Sequence, residues 1–454
     1  MRILIFAITV LSGVLSLGAA AASGDYSPLL MLDTGGHQGQ IKNIAVTQDG
    51  KKLISASQDK TIRVWDFETG TPIRTIFGQA GHGEEGQIFA MAFSPDGRTV
   101  AVGGIMGPAG NSEQIGAIRL FDIESGRLMS VLSGHAAPVN SLAFSSNGKS
   151  LISGAGTGKA EGGGVAIIWD VTTRQQLHQL SQSGAPIDAV AFTLDDARAV
   201  TSSVEGAVQL WNVADGTLIK VITEKEQKVT AIAVSPVGQV LATGSESGEI
   251  KLWDANNGSP IRILGNQGTE VSALSFNPDG RELLSGFGNT GIKICHVWNV
   301  ESGAEIAAYR GHDGDVVAVA FTPDGNFAVT AGGNNNEIHA WDWHTGQTAK
   351  TFKGFSTSIF SVGFSSDNRE IAWGTVDPCP ASASCPEIQG ALEYRLALPS
   401  KRIPLGEPQA IVKTAAEKDY LRARFAQGPW SLRRKKPLPP ASVMCSRLLK
   451  MTRS

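Results

Sequence analysis

The stretch SASQDKTIRVWD, from Ser55 to Asp66, determines how this chain is interpreted. It starts with small polar residues, turns at an aspartate and continues as an alternating run that ends in Trp65. Together with His37 upstream, its serine and aspartate residues suggest the parts of a hydrolytic triad. A catalytic site occurs once in a chain, whereas a structural unit recurs, so the rest of the sequence separates these two interpretations.

The end of this stretch, IRVWD at 62–66, recurs along the chain. The related segments are IRLFD at 118–122, AIIWD at 166–170, VQLWN at 208–212, IKLWD at 250–254, CHVWN at 295–299 and IHAWD at 338–342. From Trp169 onward the tryptophans of these segments are 42 to 45 residues apart. Tight-turn pairs such as Asp-Gly and runs such as VNSLAF recur in step with them. A period of this length, with several short strands in each unit, predicts a β-propeller.

On these motifs the chain resembles the WD-repeat (Trp-Asp) β-propeller family, of a bacterial exported type, over residues 29–399. The resemblance implies an all-β propeller of four-stranded antiparallel blades, whose strands are lettered a to d in chain order. We count eight sets of strands and therefore expect eight blades, with seven blades and an irregular appendage as the alternative. The outer strand of the eighth blade would come from residues 29–32 or from 401–406.

The same resemblance assigns a role to the opening stretch. In this family a histidine, a serine or threonine, an aspartate and the tryptophan form a hydrogen-bonded network inside a blade. The residues of this chain that match are His37, Ser57, Asp59 and Trp65. A buried network of this kind satisfies its polar groups and fixes how the strands meet, so we predict a structural role and no catalytic residue.

The two ends of the chain differ from the repeats. Residues 1–22 combine Arg2, an apolar stretch and small residues, which predicts a signal peptide and an extracytoplasmic, periplasmic or secreted protein without a further membrane span. Residues 23–406 would form the propeller. In an oxidising compartment Cys379 and Cys385 could form a disulfide bond. Residues 407–454 contain eleven Lys or Arg and three Asp or Glu, which indicates a basic, flexible tail.

A partner site is predicted on the face that carries the loops between strands b and c. Three of these loops are long, namely 103–116, 154–164 and 375–390. If the eighth blade adjoined the first, Phe360, Lys42 and Phe89 would lie together at the start of neighbouring a strands. Two aromatic rings beside a cation would suit a protein or peptide partner.

The predicted function is therefore a non-catalytic scaffold that binds a protein or peptide. The net charge of −3 does not favour nucleic acid as a partner, and no cofactor or metal site is predicted. Two alternatives remain open. One is the regulatory propeller of a larger, caspase-like peptidase, and the other is a propeller enzyme with an active site at the mouth of its channel.

Overall fold

The computed structural model describes residues 35–78, 83–107, 114–157, 164–180, 184–223, 227–288, 294–333 and 336–352, and the backbone of four further strands between 359 and 434. These residues form eight four-stranded antiparallel sheets and contain no helix. Each sheet consists of four strands that are consecutive in the chain, and each strand pairs with the next.

Seven of the sheets, blades 1 to 7, form a ring. Their strands, in the order a to d, are as follows: blade 1, β1 (Ile41–Val46), β2 (Lys52–Ser57), β3 (Thr61–Asp66) and β4 (Pro72–Phe77); blade 2, β5 (Ile88–Phe93), β6 (Thr99–Gly104), β7 (Ile118–Asp122) and β8 (Leu128–Leu132); blade 3, β9 (Val139–Phe144), β10 (Ser150–Ala155), β11 (Val165–Asp170) and β12 (Gln175–Leu180); blade 4, β13 (Ile187–Phe192), β14 (Arg198–Ser203), β15 (Val208–Asn212) and β16 (Leu218–Thr223); blade 5, β17 (Val229–Val234), β18 (Val240–Ser245), β19 (Glu249–Asp254) and β20 (Pro260–Asn266); blade 6, β21 (Val271–Phe276), β22 (Glu282–Phe287), β23 (Cys295–Asn299) and β24 (Glu305–Tyr309); blade 7, β25 (Val316–Phe321), β26 (Phe327–Gly332), β27 (Glu337–Asp342) and β28 (Gln347–Phe352).

The core of the ring lies between the blades. In all seven blades strand b is buried from its second residue to its last, because neighbouring blades cover both of its faces. Strand d lies at the outer edge, and most of its residues are exposed in β8 and β12. The a strands of successive blades contact one another all around the ring, so they form its inner wall.

The ring closes directly between blade 7 and blade 1. Their facing strands share one hydrophobic cluster, in which Trp65 meets Phe352 edge to face with ring centroids 6.4 Å apart. Lys350 also donates from strand d of blade 7 to the backbone oxygen of Phe67 in blade 1, at 3.0 Å. The equivalent lysine of blade 4, Lys220, also donates to a backbone oxygen of the turn between strands c and d of the next blade, that of Asn257 at 2.8 Å. The closing seam is therefore built like another seam of the ring.

The preference for eight blades is wrong, and the alternative of seven is confirmed. The eighth sheet contains β29 (Ile359–Phe364), β30 (Glu370–Thr375), β31 (Leu392–Ala397) and β32 (Leu432–Arg434). It is not a member of the ring, because blade 1 already covers the face of blade 7 that an eighth blade would need. Its fourth strand comes from residues 432–434, whereas we expected residues 29–32 or 401–406, and both of those segments lie outside the described residues.

Candidate binding site at the mouth of the channel

Three of the four predicted network residues meet inside blade 1. His37 Nδ1 lies 2.9 Å from Asp59 Oδ2, and His37 Nε2 lies 2.7 Å from the hydroxyl of Ser55. The indole N–H of Trp65 donates to the same hydroxyl at 2.8 Å. The network thus runs from Trp65 through a serine and His37 to Asp59, and the serine is Ser55.

The structure places Ser57, the predicted serine, elsewhere. Its hydroxyl donates to the backbone oxygen of Gly39 at 2.9 Å and accepts from the backbone N–H of Asp59 at 3.1 Å. Ser55 and Ser57 point to the same side of strand b because they are two residues apart. Ser57, however, is the last residue of the strand, so it supports the following turn and does not contact Trp65.

Ser55, His37 and Asp59 have the connectivity of a catalytic triad without its accessibility. Ser55 is 0% exposed, and its oxygen accepts a hydrogen bond from Trp65, so no substrate can approach it as a nucleophile would require. Burial would raise the pKa of Asp59, but attraction to His37, the hydrogen bond from its ring and the charge of Arg63 together lower it well below the usual range. This ionised carboxylate is held in place by the blade.

The same serine position recurs around the ring. The fourth residue of strand b accepts the indole N–H of the blade's tryptophan in five blades, through Ser55, Ser153, Thr201, Thr243 and Ser285. In blade 7 the equivalent Thr330 bonds to His312, and the indole nitrogen of Trp341 has no hydrogen-bond partner among the described residues.

Blade 2 shows that this position and the tryptophan change together. It carries Val102 where the other blades have a serine or threonine, and Phe121 where they have a tryptophan. A phenylalanine ring has no N–H to donate, so the hydroxyl is not needed. This internal comparison would have identified Ser55 from sequence, because its equivalent is polar in every blade that has a tryptophan.

A β-bulge marks the start of strand a in every blade of the ring. The second residue of the strand has no partner in the ladder, because the residue before it and the residue after it pair with adjacent residues of strand b. A bulge redirects a side chain away from the regular sheet. The seven bulge residues, which together are called the mouth residues, are Lys42, Phe89, Asn140, Asp188, Thr230, Ser272 and Val317.

The charges at this mouth are unevenly distributed. Burial lowers the pKa of Lys42, and the charge of Glu270, which lies in blade 6, partly offsets this effect. Burial raises the pKa of Asp188, which Lys228 opposes from 3.5 Å. Glu270 and Glu246 raise the pKa of Asp188 further. These carboxylates therefore lie in blades 4 to 6, while Lys42 lies in blade 1, which is separated from blade 6 by blade 7.

The structure separates the three predicted partner-binding residues. Lys42 and Phe89 hold equivalent positions in neighbouring blades, and both are half-buried. Phe360 is the bulge residue of the eighth sheet, and its side chain lies outside the described residues. Since blade 7 adjoins blade 1, the mouth residue on the other side of Lys42 is Val317, which we did not predict because we counted eight blades. The long loop 375–390 likewise follows β30 of the eighth sheet, and its residues after Thr375 lie outside the described residues.

Cys295 is the one cysteine of the chain's four that lies in the described residues. Within them, no group of three or more His, Cys, Asp or Glu side chains could hold a metal ion. Cys295 is fully buried, and burial raises the pKa of its thiol far above the usual value. Cys379 and Cys385 lie outside the described residues, so their disulfide bond stays a prediction.

Comparison with known families agrees with this architecture. The profile described as "WD domain, G-beta repeat" matches six segments, which together make up more than half of the chain: 28–66, 70–105, 126–170, 216–254, 258–296 and 303–342. The chain belongs to the WD40 repeat family. The described residues of the six segments lie in the ring, and none of the segments reaches the eighth sheet.

Similar proteins include three from eukaryotes. Autophagy-related protein 16 of Arabidopsis thaliana is 25% identical over 42% of this WD40 chain and 34% of its own length. Apoptotic protease-activating factor 1 of Rattus norvegicus is 28% identical over 40% of this chain and 13% of its own. Angio-associated migratory cell protein of Homo sapiens is 29% identical over 38% of this chain and 39% of its own. The matched parts are thus less than half of each relative.

Membership of the WD40 family indicates a general role. WD40 propellers generally bind protein partners and serve as non-catalytic scaffolds, and the fold of this chain is consistent with that role. Among the described residues, no helix has the length and apolar character that crossing a membrane requires.

Proposed function

We propose that this protein is an exported, non-catalytic scaffold that binds a protein or peptide at the mouth of its channel, on the face of the b–c loops. The observation that carries the proposal is the ring of bulges, which directs seven side chains of varied chemistry out of the sheets at one end of the inner wall. The burial of Ser55 supports a binding role over a hydrolytic one.

The proposed face can be tested with site-specific crosslinking in cells that produce the full chain. A photo-crosslinking amino acid replaces Val317 at the mouth in one variant and Lys149 in the other. Lys149 is an exposed residue in the a–b turn of blade 3, so it lies at the opposite end of the inner wall. We expect a discrete crosslinked protein from position 317 and none from position 149.

The comparison is stringent because Val317 is half-buried, whereas Lys149 is exposed. Random collisions would therefore label position 149 more than position 317. Equal labelling of both positions, or labelling at 149 alone, would contradict a binding site at the mouth. The thermal unfolding of both variants should match that of the unmodified protein.

Export is a separate part of the proposal, and it rests on the apolar stretch and small residues at 1–22. Fusing residues 1–25 to a phosphatase that is active only outside the cytoplasm should give active enzyme. Replacing two leucines of the apolar stretch, Leu11 and Leu15, by arginine should abolish the activity. Equal activity of the two fusions would show that this segment does not direct export.

A further inference from the structure

Three of the seven mouth residues are used to hold the ring together. The Asn140 side chain donates to the backbone oxygen of Ile187 at 3.1 Å, which links blade 3 to blade 4. Thr230 donates to the oxygen of Val271 at 2.7 Å, which links blade 5 to blade 6. In the same way, Ser272 donates to the backbone of blade 7. These side chains have structural partners and are not available to a ligand.

A fourth mouth residue is also paired. Asp188 of blade 4 cannot donate to the next blade when it is ionised, and its carboxylate faces Lys228 instead, at 3.5 Å. Four of the seven positions, in blades 3 to 6, are thus occupied by contacts within the ring.

The three remaining mouth residues lie on consecutive blades. Val317, Lys42 and Phe89 belong to blades 7, 1 and 2, whose inner strands contact one another. All three are half-buried, and neither Val317 nor Phe89 is part of a hydrophobic core cluster in the described ring. Lys42 has no carboxylate within ion-pairing distance among the described residues. This sector, called the free sector, therefore presents one ammonium group between two apolar side chains.

A ligand for the free sector must complement that arrangement. A half-buried ammonium group has lost part of its hydration, so a carboxylate that bonds to it gains more than at an exposed site. Burying the apolar side chains on either side against another apolar group also favours binding. Asp188 and Glu246 lie in blades 4 and 5, opposite blade 1, and Glu270 lies in blade 6. These carboxylates repel a carboxylate of the ligand and so favour its placement beside Lys42.

We propose that the free sector binds an extended peptide segment of a partner protein in which a carboxylate side chain lies next to a large apolar one. The carboxylate accepts from Lys42 Nζ, and the apolar side chain covers Phe89 or Val317. The inference rests on the proposed scaffold function and names the kind of partner. A lysine-rich partner is the opposite choice, and it would need to displace Lys228 from Asp188.

A displayed library of random seven-residue peptides tests this choice with the full-length protein as bait. The baits are the wild type, Lys42→Glu, Lys42→Met and Lys149→Glu, where the last reverses a charge at the opposite end of the inner wall. We expect the wild type and Lys149→Glu to enrich peptides with Asp or Glu beside Phe, Leu, Ile or Trp. Lys42→Met should reduce this enrichment at least tenfold, and Lys42→Glu should abolish it.

Lys42→Met keeps the length of the aliphatic side chain, so it separates loss of charge from loss of packing. Circular dichroism and thermal unfolding should show all four baits folded. Enrichment of peptides without a carboxylate, or equal enrichment by wild type and Lys42→Glu, would overturn the inference while leaving a binding site at the mouth in place. A wild type that enriches no peptide would also overturn it, and crosslinking at position 317 then decides separately whether the mouth binds a protein.

Discussion

Blade 1 and blade 2 fill the same space in two chemically different ways. Blade 1 places a hydroxyl under an indole and extends the network through His37 to Asp59. Blade 2 has Val102 and Phe121 at the equivalent positions and needs no polar partner there. A blade can therefore be packed with or without the polar network, and the residues of the network depend on one another.

Blade 3 lies between these two cases. His135 bonds to Ser153 at 2.6 Å, and Trp169 donates to the same hydroxyl at 2.8 Å, as in blade 1. Among the described residues, no carboxylate bonds to this histidine. Burial lowers the pKa of His135 to about 4, so its ring is neutral at pH 7. A blade can therefore hold the histidine by burial and one hydroxyl alone.

The largest effect is expected when the serine of the blade 1 network is replaced by valine, as in blade 2, while Trp65 is kept. Ser55→Val leaves the N–H of Trp65 and the nitrogen of His37 buried without partners, which should lower the free energy of unfolding by about 4 kcal/mol. Ser57→Ala, two residues along the same strand, should cost about 1 kcal/mol because it removes hydrogen bonds only at the turn. Denaturant unfolding measures both. Equal losses would show that Ser57 belongs to the network after all.

Blade 3 should make the stability of the ring depend on pH. The unfolded His135 titrates near its ordinary pKa of about 6.5, while the folded group titrates at about 4. Between these values only the unfolded state binds the proton, so the stability that is fully present above pH 6.5 is lost as the pH falls towards 4. The loss amounts to on the order of 3 kcal/mol.

The measurement for blade 3 is the change in unfolding free energy between pH 7 and pH 4, compared between wild type and His135→Gln. The variant should lose less stability across this range, because it has no group at position 135 to protonate. His344→Gln alters an exposed histidine and should follow the wild type. If His135→Gln and wild type had the same pH dependence, the histidine would not be held neutral in the fold.

A smaller effect should follow from exchanging threonine and valine, which have the same shape, at the fourth residue of strand b. Thr243→Val in blade 5 removes the acceptor of the Trp253 N–H, and Val102→Thr in blade 2 adds a hydroxyl where Phe121 offers no donor. Each change should cost about 1–2 kcal/mol, since each buries one unpaired polar group. A stabilising Val102→Thr would mean that blade 2 retains a hidden polar partner.

The smallest effect is expected from removing the eighth sheet, which, unlike the seven blades, is not part of the ring. A chain that ends at residue 354 keeps every interface of the ring, so its free energy of unfolding should change by less than about 1 kcal/mol. Phe352→Ala, which creates a cavity at the closing seam, should cost about 3–4 kcal/mol and provides the comparison. A truncated chain that fails to fold would indicate that the eighth sheet completes the ring.

The sequence predicted the blades well, because their markers recur in every unit. The number of blades cannot be deduced from the sequence of any single repeat. It depends on whether the seventh sheet packs against the first and so leaves no place in the ring for the eighth. The resemblance assigned Ser57 to the network, and Ser57 lies on the same face of strand b as Ser55, which is the residue that contacts Trp65. Comparing the blades distinguishes the two serines, because only the position of Ser55 is polar in every blade that has a tryptophan. The bulges were not predicted, since the extra residue looks like any other residue of an alternating strand.

These bulges have a consequence for how the protein can change. Each mouth residue is carried by a position that contributes no pairing to its sheet, so replacing it leaves the register of the blade intact. Natural variation or protein engineering can therefore alter ligand preference one substitution at a time, and Lys42, Phe89 and Val317 are the positions where such exchange carries the least structural penalty.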